Sequence, residues 1–184
     1  SLDLKNGNHE EIYNLNLDEN PDLTCVQVDD VAYFTDNFSS TDDPFSFSLD
    51  CSSISQNTLA IPNVNFEQAL IDEGIDSDGS INGQVLISDI ETVEYLDINS
   101  KNISDLTGIE GFAALETLFA HSNNLTSINV SENLLLSGLV LDFNQLTALD
   151  VSKNIELVSL TFSSSLITAI DLSKNIKLNQ FYAN

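Results

Sequence analysis

The sequence predicts an α/β-type repeat solenoid that carries a parallel β-strand ladder. Three observations predict this fold class. From residue 93 to the end, apolar residues recur with a spacing of 21 or 22 residues; within each unit two of them stand two residues apart, as on a strand; and a polar, asparagine-containing turn follows. One such unit buries too few apolar side chains to offset the entropy of ordering its backbone, so the units must stack into an array.

The repeat is clearest in three successive units, which begin at Leu115, Leu136 and Leu157. Each has apolar residues at its first, fourth and sixth positions, and the last two of these predict a short strand with those side chains inward. A preceding unit begins at Val93, and a further one begins at Leu178. The second half of each unit is rich in β-branched, Asx and Ser residues, which predicts an irregular or 3-10 convex side instead of long helices.

Asparagine closes the predicted strand in two of the units, at Asn123 and Asn144. An inward asparagine amide can hydrogen bond to backbone groups of neighbouring turns that burial would otherwise leave unpaired. We therefore expect both residues to be structural. Ser165 holds the equivalent position in the next unit, which places the continuity of this row in doubt.

The first third of the chain carries a separate copy of the pattern. Residues 1–28 follow it, whereas residues 29–52 are acidic and aromatic. The two cysteines, Cys25 and Cys51, are either free thiols of a cytosolic protein or one disulfide of an exported protein. Their placement, on the last predicted strand and after the aromatic segment, favours the disulfide. We interpret residues 1–52 as the last repeats and the disulfide-pinned C-terminal cap of a first array.

A second array follows. Residues 53–62 are predicted to be a linker, and residues 63–92 an N-terminal cap with a helix at about 65–73. Asn65 is the expected N-cap, with Gln68 as its capping-box partner, and Gly74 ends the helix. Residues 93–184 are then the repeats of the second array. Both arrays look incomplete, so we expect the chain to be part of a longer multi-array protein.

Charge excludes several partners. The chain has 29 acidic and 5 basic residues, a formal net charge of −24. Nucleic acid and anionic membranes need basic residues, so neither is an expected partner. No apolar stretch is long enough for a transmembrane segment. The two histidines, His9 and His121, form no catalytic or zinc pattern. We therefore expect no enzymatic activity and no cofactor other than calcium.

Four segments resemble a known family. IPNVNFEQALID at 61–72, KNISDLTGIEGF at 101–112, LTALDVSKN at 146–154 and NPDLTCVQVDD at 20–30 are similar to leucine-rich-repeat segments in secreted proteins of Bacteroidota, especially marine flavobacteria. The resemblance implies a leucine-rich-repeat fold, a secreted or surface-attached location, export by the type IX system, and adhesion to protein or glycan. The chain departs from common members, which carry cysteine where Ala120, Leu141 and Phe162 stand.

The outward strand positions are the candidate ligand site. Parallel strands set these positions, the third, fifth, seventh and eighth of each unit, in adjacent rows on the concave face. Exposed aromatic rings beside carboxylates can stack on sugars or anchor a peptide; alternatively, the rings only brace one another along the ladder. The predicted function is therefore an extracellular binding or adhesion module, and its rival is an architectural spacer or accessory subunit. The candidate residues are Tyr95, Asp97, Phe119, His121, Asp142, Phe143 and Tyr182.

A weaker candidate is a calcium loop at Asp76 and Asp78. The sequence Asp76-Ser-Asp78-Gly79-Ser-Ile81 matches the core of an EF-hand loop. The opening ligand and the bidentate glutamate are missing, because Gly74 and Val85 stand at the first and twelfth loop positions. A tight Asx turn between helix and strand explains the same residues, and this interpretation is favoured.

Overall fold

The computed structural model describes residues 2–5, 7, 15, 25–38, 46–48 and 57–184. The chain divides into two compact units, residues 1–56 and 57–184. In the described residues, no helix has the length and apolar character needed to cross a membrane.

The first unit contains a three-stranded parallel sheet in the order β1, β2, β3. Its elements are β1 (Leu2–Asp3), β2 (Cys25–Gln27), helix α1 (Val31–Asn37) and β3 (Ser46–Ser48). The side chain of Asp30 caps α1 by accepting a hydrogen bond from the Tyr33 N–H. Val26, Val28 and Phe34 are fully buried, and the Phe34 and Phe47 rings lie 5.4 Å apart. Phe34 and Phe47 therefore pack with Val26 and Val28 in one apolar cluster.

Two features of this unit were predicted from the sequence: the end of the repeat pattern at Cys25 and a disulfide between Cys25 and Cys51. The repeat pattern was expected to end with the strand at Cys25, but β3 adds a further parallel strand to it, with α1 as the connection. Parallel pairing needs such a crossover, which the aromatic segment supplies. Cys25 is buried, whereas Cys51 lies outside the described residues. The disulfide between them stays a prediction, as does the role of residues 1–52 as an array end.

The second unit begins with a small mixed cap. It consists of β4 (Thr58–Ala60), helix α2 (Val64–Asp72), β5 (Gln84–Leu86) and helix α3 (Ile87–Ile90), with β4 antiparallel to β5. Residues 58–60 were assigned to the linker but form β4, because Leu59 pairs with Val85 and the following Ile61 is fully buried. Residues 53–56 of that linker lie outside the described residues.

The N-cap of helix α2 lies two residues earlier than the sequence suggested. Asn63 is the N-cap: its side-chain oxygen accepts from the Phe66 N–H at 3.0 Å. Asn65, the expected cap, instead donates from its side-chain amide to the Asn102 carbonyl at 2.9 Å. A tertiary contact thus draws Asn65 away from the role that its local sequence favours. The helix ends at Asp72, and Gly74 follows the C-cap Glu73 with a φ of 69°, the left-handed conformation common after helices.

Five parallel three-residue strands form the main sheet: β6 (Tyr95–Asp97), β7 (Thr117–Phe119), β8 (Gly138–Val140), β9 (Ser159–Thr161) and β10 (Gln180–Tyr182). Each pairs in register with the next, so that the fourth positions of the units align. Leu96, Leu118, Leu139 and Leu160 are almost fully buried there. The sixth positions, Ile98, Ala120, Leu141 and Phe162, are buried beside them. The predicted inward faces are confirmed for β6 to β9, whereas Phe181, the equivalent residue of β10, is 44% exposed.

The returns between strands are irregular. In residues 57–184 the one 3-10 element lies at Ile109–Gly111 in the first return, and turns make up the others. Helix α2 closes the near end of the core, where the Phe66 and Phe112 rings stack with centroids 6.3 Å apart. One continuous core therefore runs from the cap to the Leu160 strand.

Candidate functional site: the concave strand face

The outward face of the five-stranded sheet carries the aromatic side chains that the sequence analysis selected. The Tyr95 and Phe119 rings lie on neighbouring strands with centroids 5.3 Å apart. Tyr95 is 58% exposed and Tyr182 is 61% exposed. Tyr182 stands three strands from Phe119, which is roughly 14 Å at the usual strand spacing. The structure therefore brings Tyr95 and Phe119 together but leaves Tyr182 at the opposite end of the face.

The polar candidates on this face are occupied by backbone hydrogen bonds. Asp97 accepts from the Asn99 N–H at 3.1 Å, and Asn99 in turn accepts from the His121 N–H at 2.7 Å. Asp142 accepts from the Ser163 N–H at 2.6 Å and from the Thr161 hydroxyl. The Asn99 and Asp142 contacts tie neighbouring units together, whereas the Asp97 contact lies within one unit. Both carboxylates contribute negative charge to the face. Spacing alone did not reveal this bracing role.

The eighth position of each unit has a left-handed backbone. Ser100, Ser122, Phe143 and Ser164 all have φ between 56° and 60°. This conformation lets the eighth N–H continue the ladder; that of Phe143 donates to the Ser163 carbonyl at 2.8 Å. Serine fits there with little crowding, whereas a bulky aromatic residue at positive φ is an outlier. Phe143 is also 62% exposed, so it is both strained and open to solvent.

The face has no cationic side chain. No lysine or arginine occurs on the five strands or at the seventh and eighth positions that follow them. Lys101 and Lys177, on the turns, lie in ion pairs with Asp72, at 2.8 Å, and with Glu156. His121 is half-buried, with its ring Nδ1 3.1 Å from the Ser122 hydroxyl. The face therefore combines exposed rings with uncompensated carboxylates.

Solved structures provide the comparison for this geometry, since no family model and no curated protein matches the chain. The functional domain of InlJ from Listeria monocytogenes, which includes a cysteine ladder, is similar with a TM-score of 0.61 and 30% identity over 69% of this chain. The internalins InlF and C2 of the same organism give TM-scores of 0.60 and 0.59 at 18% and 17% identity, over 72% and 71% of the chain.

The chain spans only part of these proteins: 28% of InlJ, 47% of InlF and 59% of internalin C2. The likeness in fold to all three supports the parallel ladder of residues 93–184. The array is a leucine-rich-repeat solenoid. Its repeats have no cysteine, because the two cysteines of the chain are both in the first unit.

Asparagine amides hold the solenoid turns together at the end of the strands. The Asn123 side-chain oxygen accepts from the Lys101 and Ile103 N–H groups at 3.1 and 3.0 Å, while its nitrogen donates to the Ile98 carbonyl at 2.8 Å. Asn144 makes equivalent contacts one unit further, with Leu125 N–H and the Ala120 carbonyl. Ser165 is too short to span turns; its hydroxyl accepts locally from the Ile167 N–H at 3.5 Å.

A second row of asparagines lies on the convex side of the solenoid, and the sequence analysis did not assign it a role. Its members, Asn133, Asn154 and Asn175, are all buried. Each donates from its side chain to two carbonyls of the preceding turn; Asn154, for example, donates to those of Val130 and Asn133 at 2.8 and 2.9 Å. The recurrence of asparagine at intervals of 21 residues was the available signal.

The proposed calcium loop lies in the solenoid cap. Asp78 is exposed and already bonded: it accepts from the Ser80 N–H at 2.7 Å and from the Asn82 side chain at 2.6 Å. Asp76 is only 4% exposed. Burial, followed by the negative charges of Asp78, Glu67 and Asp89, raises the pKa of Asp76 to about 6. The Asx-turn interpretation accounts for Asp78, but it leaves the burial of Asp76 unexplained.

Proposed function

We propose that this chain is part of an extracellular or cell-surface binding and adhesion module whose concave face contacts a protein partner. The observation that carries the proposal is the contact between the exposed Tyr95 ring and the half-buried Phe119 ring, on a face without lysine or arginine. Aromatic side chains that stay exposed to water are unfavourable in the free protein, and they are typical of binding sites, where a partner covers them. The likeness to internalins and the resemblance to secreted repeat proteins support an extracellular role.

Phe143 extends the proposed contact surface toward the carboxyl ends of the strands. Three serines occupy the equivalent left-handed positions, so a phenylalanine there is unfavourable for folding alone. Strained residues persist where function requires them. We therefore assign Phe143 to the binding surface together with the aromatic pair.

Charge indicates the kind of partner. Asp97 and Asp142 lie on the face, and no lysine or arginine offsets them. A partner surface rich in lysine and arginine would be attracted over several ångströms and could also place guanidinium groups over the exposed rings. A neutral surface glycan, which would stack on the same rings, is the second ligand class.

The test compares variants on and off the face. Tyr95→Ala and Phe143→Ser are expected to weaken capture of a basic protein partner at least tenfold, because aromatic anchors dominate such interfaces. Ile176→Ala is the control: Ile176 is 87% exposed but lies on a turn away from the strands. Binding to basic peptide arrays and to glycan arrays is measured side by side. Equal binding by wild type and both face variants on every array would remove the concave face from the proposal.

An architectural spacer is the competing function, and the ring contact itself favours it. If Tyr95 and Phe119 serve only to brace neighbouring strands, Tyr95→Ala lowers the thermal midpoint of unfolding and leaves all binding unchanged. A binding surface predicts the reverse pattern, with a large loss of affinity and a small change in stability. Measuring both quantities on the same variant separates the two functions.

A further inference from the structure

The cap of the solenoid contains two buried carboxylates, each with one oxygen that has no hydrogen-bond partner. Glu67 on α2 is 1% exposed, and Asp76 at the start of the following loop is 4% exposed. Glu67 Oε1 accepts from the Asn82 and Gly83 N–H groups at 2.7 and 2.6 Å. Its other oxygen, Oε2, and the Asp76 Oδ2 atom are buried with no hydrogen-bond partner. Buried carboxylate oxygens without a partner cost free energy, so both are unusual in a folded cap.

No basic side chain of the cap offsets these charges. Residues 61–92 contain neither lysine nor arginine. The nearest lysine in sequence, Lys101, is paired with Asp72 on the exposed side of α2. Two further carboxylates, Asp78 and Asp89, lie close enough to Asp76 to repel it. The negative charge of the cap interior is therefore left for something other than the chain to neutralise.

We propose that the loop between α2 and β5 binds one calcium ion through Asp76 Oδ2 and Glu67 Oε2. Two carboxylates match the charge of one divalent cation, and calcium accepts an irregular set of oxygen ligands, whereas magnesium demands a near-octahedral one. In residues 57–184 no three acidic, histidine or cysteine side chains surround a common point. We expect backbone oxygens and water to supply the remaining ligands.

Such an ion would join α2 to the strand that closes the cap. Glu67 already anchors the loop through three successive N–H groups, those of Asn82, Gly83 and Gln84. Asp76 lies at the other end of the same loop. A cation held by both side chains fixes the loop at its two ends and so fixes β5, which pairs with β4. Calcium is thus expected to stabilise the end of the solenoid, independently of any ligand on the concave face.

The first experiment uses the whole chain stripped with EDTA. Calorimetric titration with calcium chloride is expected to show one ion per chain, and saturating calcium should raise the midpoint of thermal unfolding by roughly 5–10 °C. Magnesium and sodium chloride at equal ionic strength serve as controls, because a net charge of −24 responds to any salt. A shift that sodium chloride reproduces in full, or the absence of stoichiometric heat, overturns the proposal.

The second experiment localises the ion. Asp76→Asn is expected to lose most of the calcium-specific shift, whereas Asp171→Asn, on an exposed turn of the repeats, retains it. Hydrogen exchange on the wild-type chain gives the same information without a variant: calcium should slow exchange at residues 82–84 more than at Ser173. Full retention of the calcium response by Asp76→Asn, or uniform slowing along the chain, would show that the cap loop is not the site.

Discussion

At the residue scale, hydrogen bonds across turns determine which polar side chains are essential. When a buried amide that donates to two carbonyls is removed, each carbonyl loses a hydrogen bond that water cannot replace, whereas the bonds of an exposed amide are replaced by water. The solenoid has asparagine side chains of both kinds. Asn154 is fully buried, whereas Asn129 is exposed and its side-chain oxygen accepts from the Ser131 N–H at 3.1 Å.

We predict that Asn154→Ala lowers the free energy of unfolding by about 1–3 kcal/mol, since it removes one buried hydrogen bond from each of the Val130 and Asn133 carbonyls, which keep only their backbone N–H partners. Asn129→Ala should cost about 0.5 kcal/mol or less. Urea unfolding followed by circular dichroism measures both. Similar costs for the two variants would contradict a structural role for the convex asparagine row.

Asp76 gives the chain a pH-dependent stability. Its pKa rises from 3.8 to about 6 on folding, so the folded state holds this proton more tightly than the unfolded state does. The associated stability is complete below pH 3.8 and is lost as pH rises through 6. With calcium chelated, wild type should therefore lose on the order of 2–3 kcal/mol relative to Asp76→Asn between pH 4 and pH 7. Parallel pH curves for the two proteins would contradict this assignment.

At the element scale, the cap depends on close backbone approach where β4 passes the first return of the solenoid. Gly108 has a φ of 105°, and a Cβ atom there would lie 2.3 Å from Ile61 Cδ1 and 2.8 Å from the Ala60 carbonyl oxygen. Gly79 also has a positive φ, of 63°, but its Cβ would meet no atom within 4 Å. An added Cβ atom would therefore cause only backbone strain at Gly79, but both backbone strain and a steric clash at Gly108.

Gly108→Ala is expected to destabilise the second unit by about 3 kcal/mol or more, because backbone and core must both shift. Gly79→Ala should cost only the left-handed penalty of about 1 kcal/mol. Thermal unfolding of the two variants beside wild type checks the difference. If Gly108→Ala were as mild as Gly79→Ala, β4 would not pack as closely as the structure shows.

The elements also show where local sequence rules succeed and fail. The strands at Leu118, Leu139 and Leu160 could be predicted because the same apolar pattern recurs in each unit and forms the same strand in each. The N-cap of α2 was placed at Asn65 since its capping-box spacing is favourable, but Asn102 engages that side chain and Asn63 caps instead. Likewise β4 has no repeat to identify it and owes its existence to pairing with β5.

At the scale of the whole molecule, net charge dominates. With 29 acidic and 5 basic residues, like-charge repulsion opposes the compact state and is screened within about 10 Å at 0.1 M salt. We predict that the thermal midpoint of unfolding rises steadily between 0.02 and about 0.5 M sodium chloride. The rise should be the same for Asp76→Asn, which separates general screening from calcium binding. A midpoint insensitive to salt would show that the carboxylates are too widely spaced to repel.

The sequence by itself determined the repeat, the inward faces of the strands and the rows of concave-face residues, because the same spacing of apolar residues recurs in every unit. Tertiary structure alone decided which of those residues remain available to a partner. Asp97 and Asp142 are engaged by neighbouring N–H groups, Phe143 is held exposed in a strained backbone, and Glu67 and Asp76 are buried side chains with unmatched oxygens. Such assignments depend on which groups of the neighbouring turn contact each side chain, and the spacing of residues along the chain does not reveal those contacts.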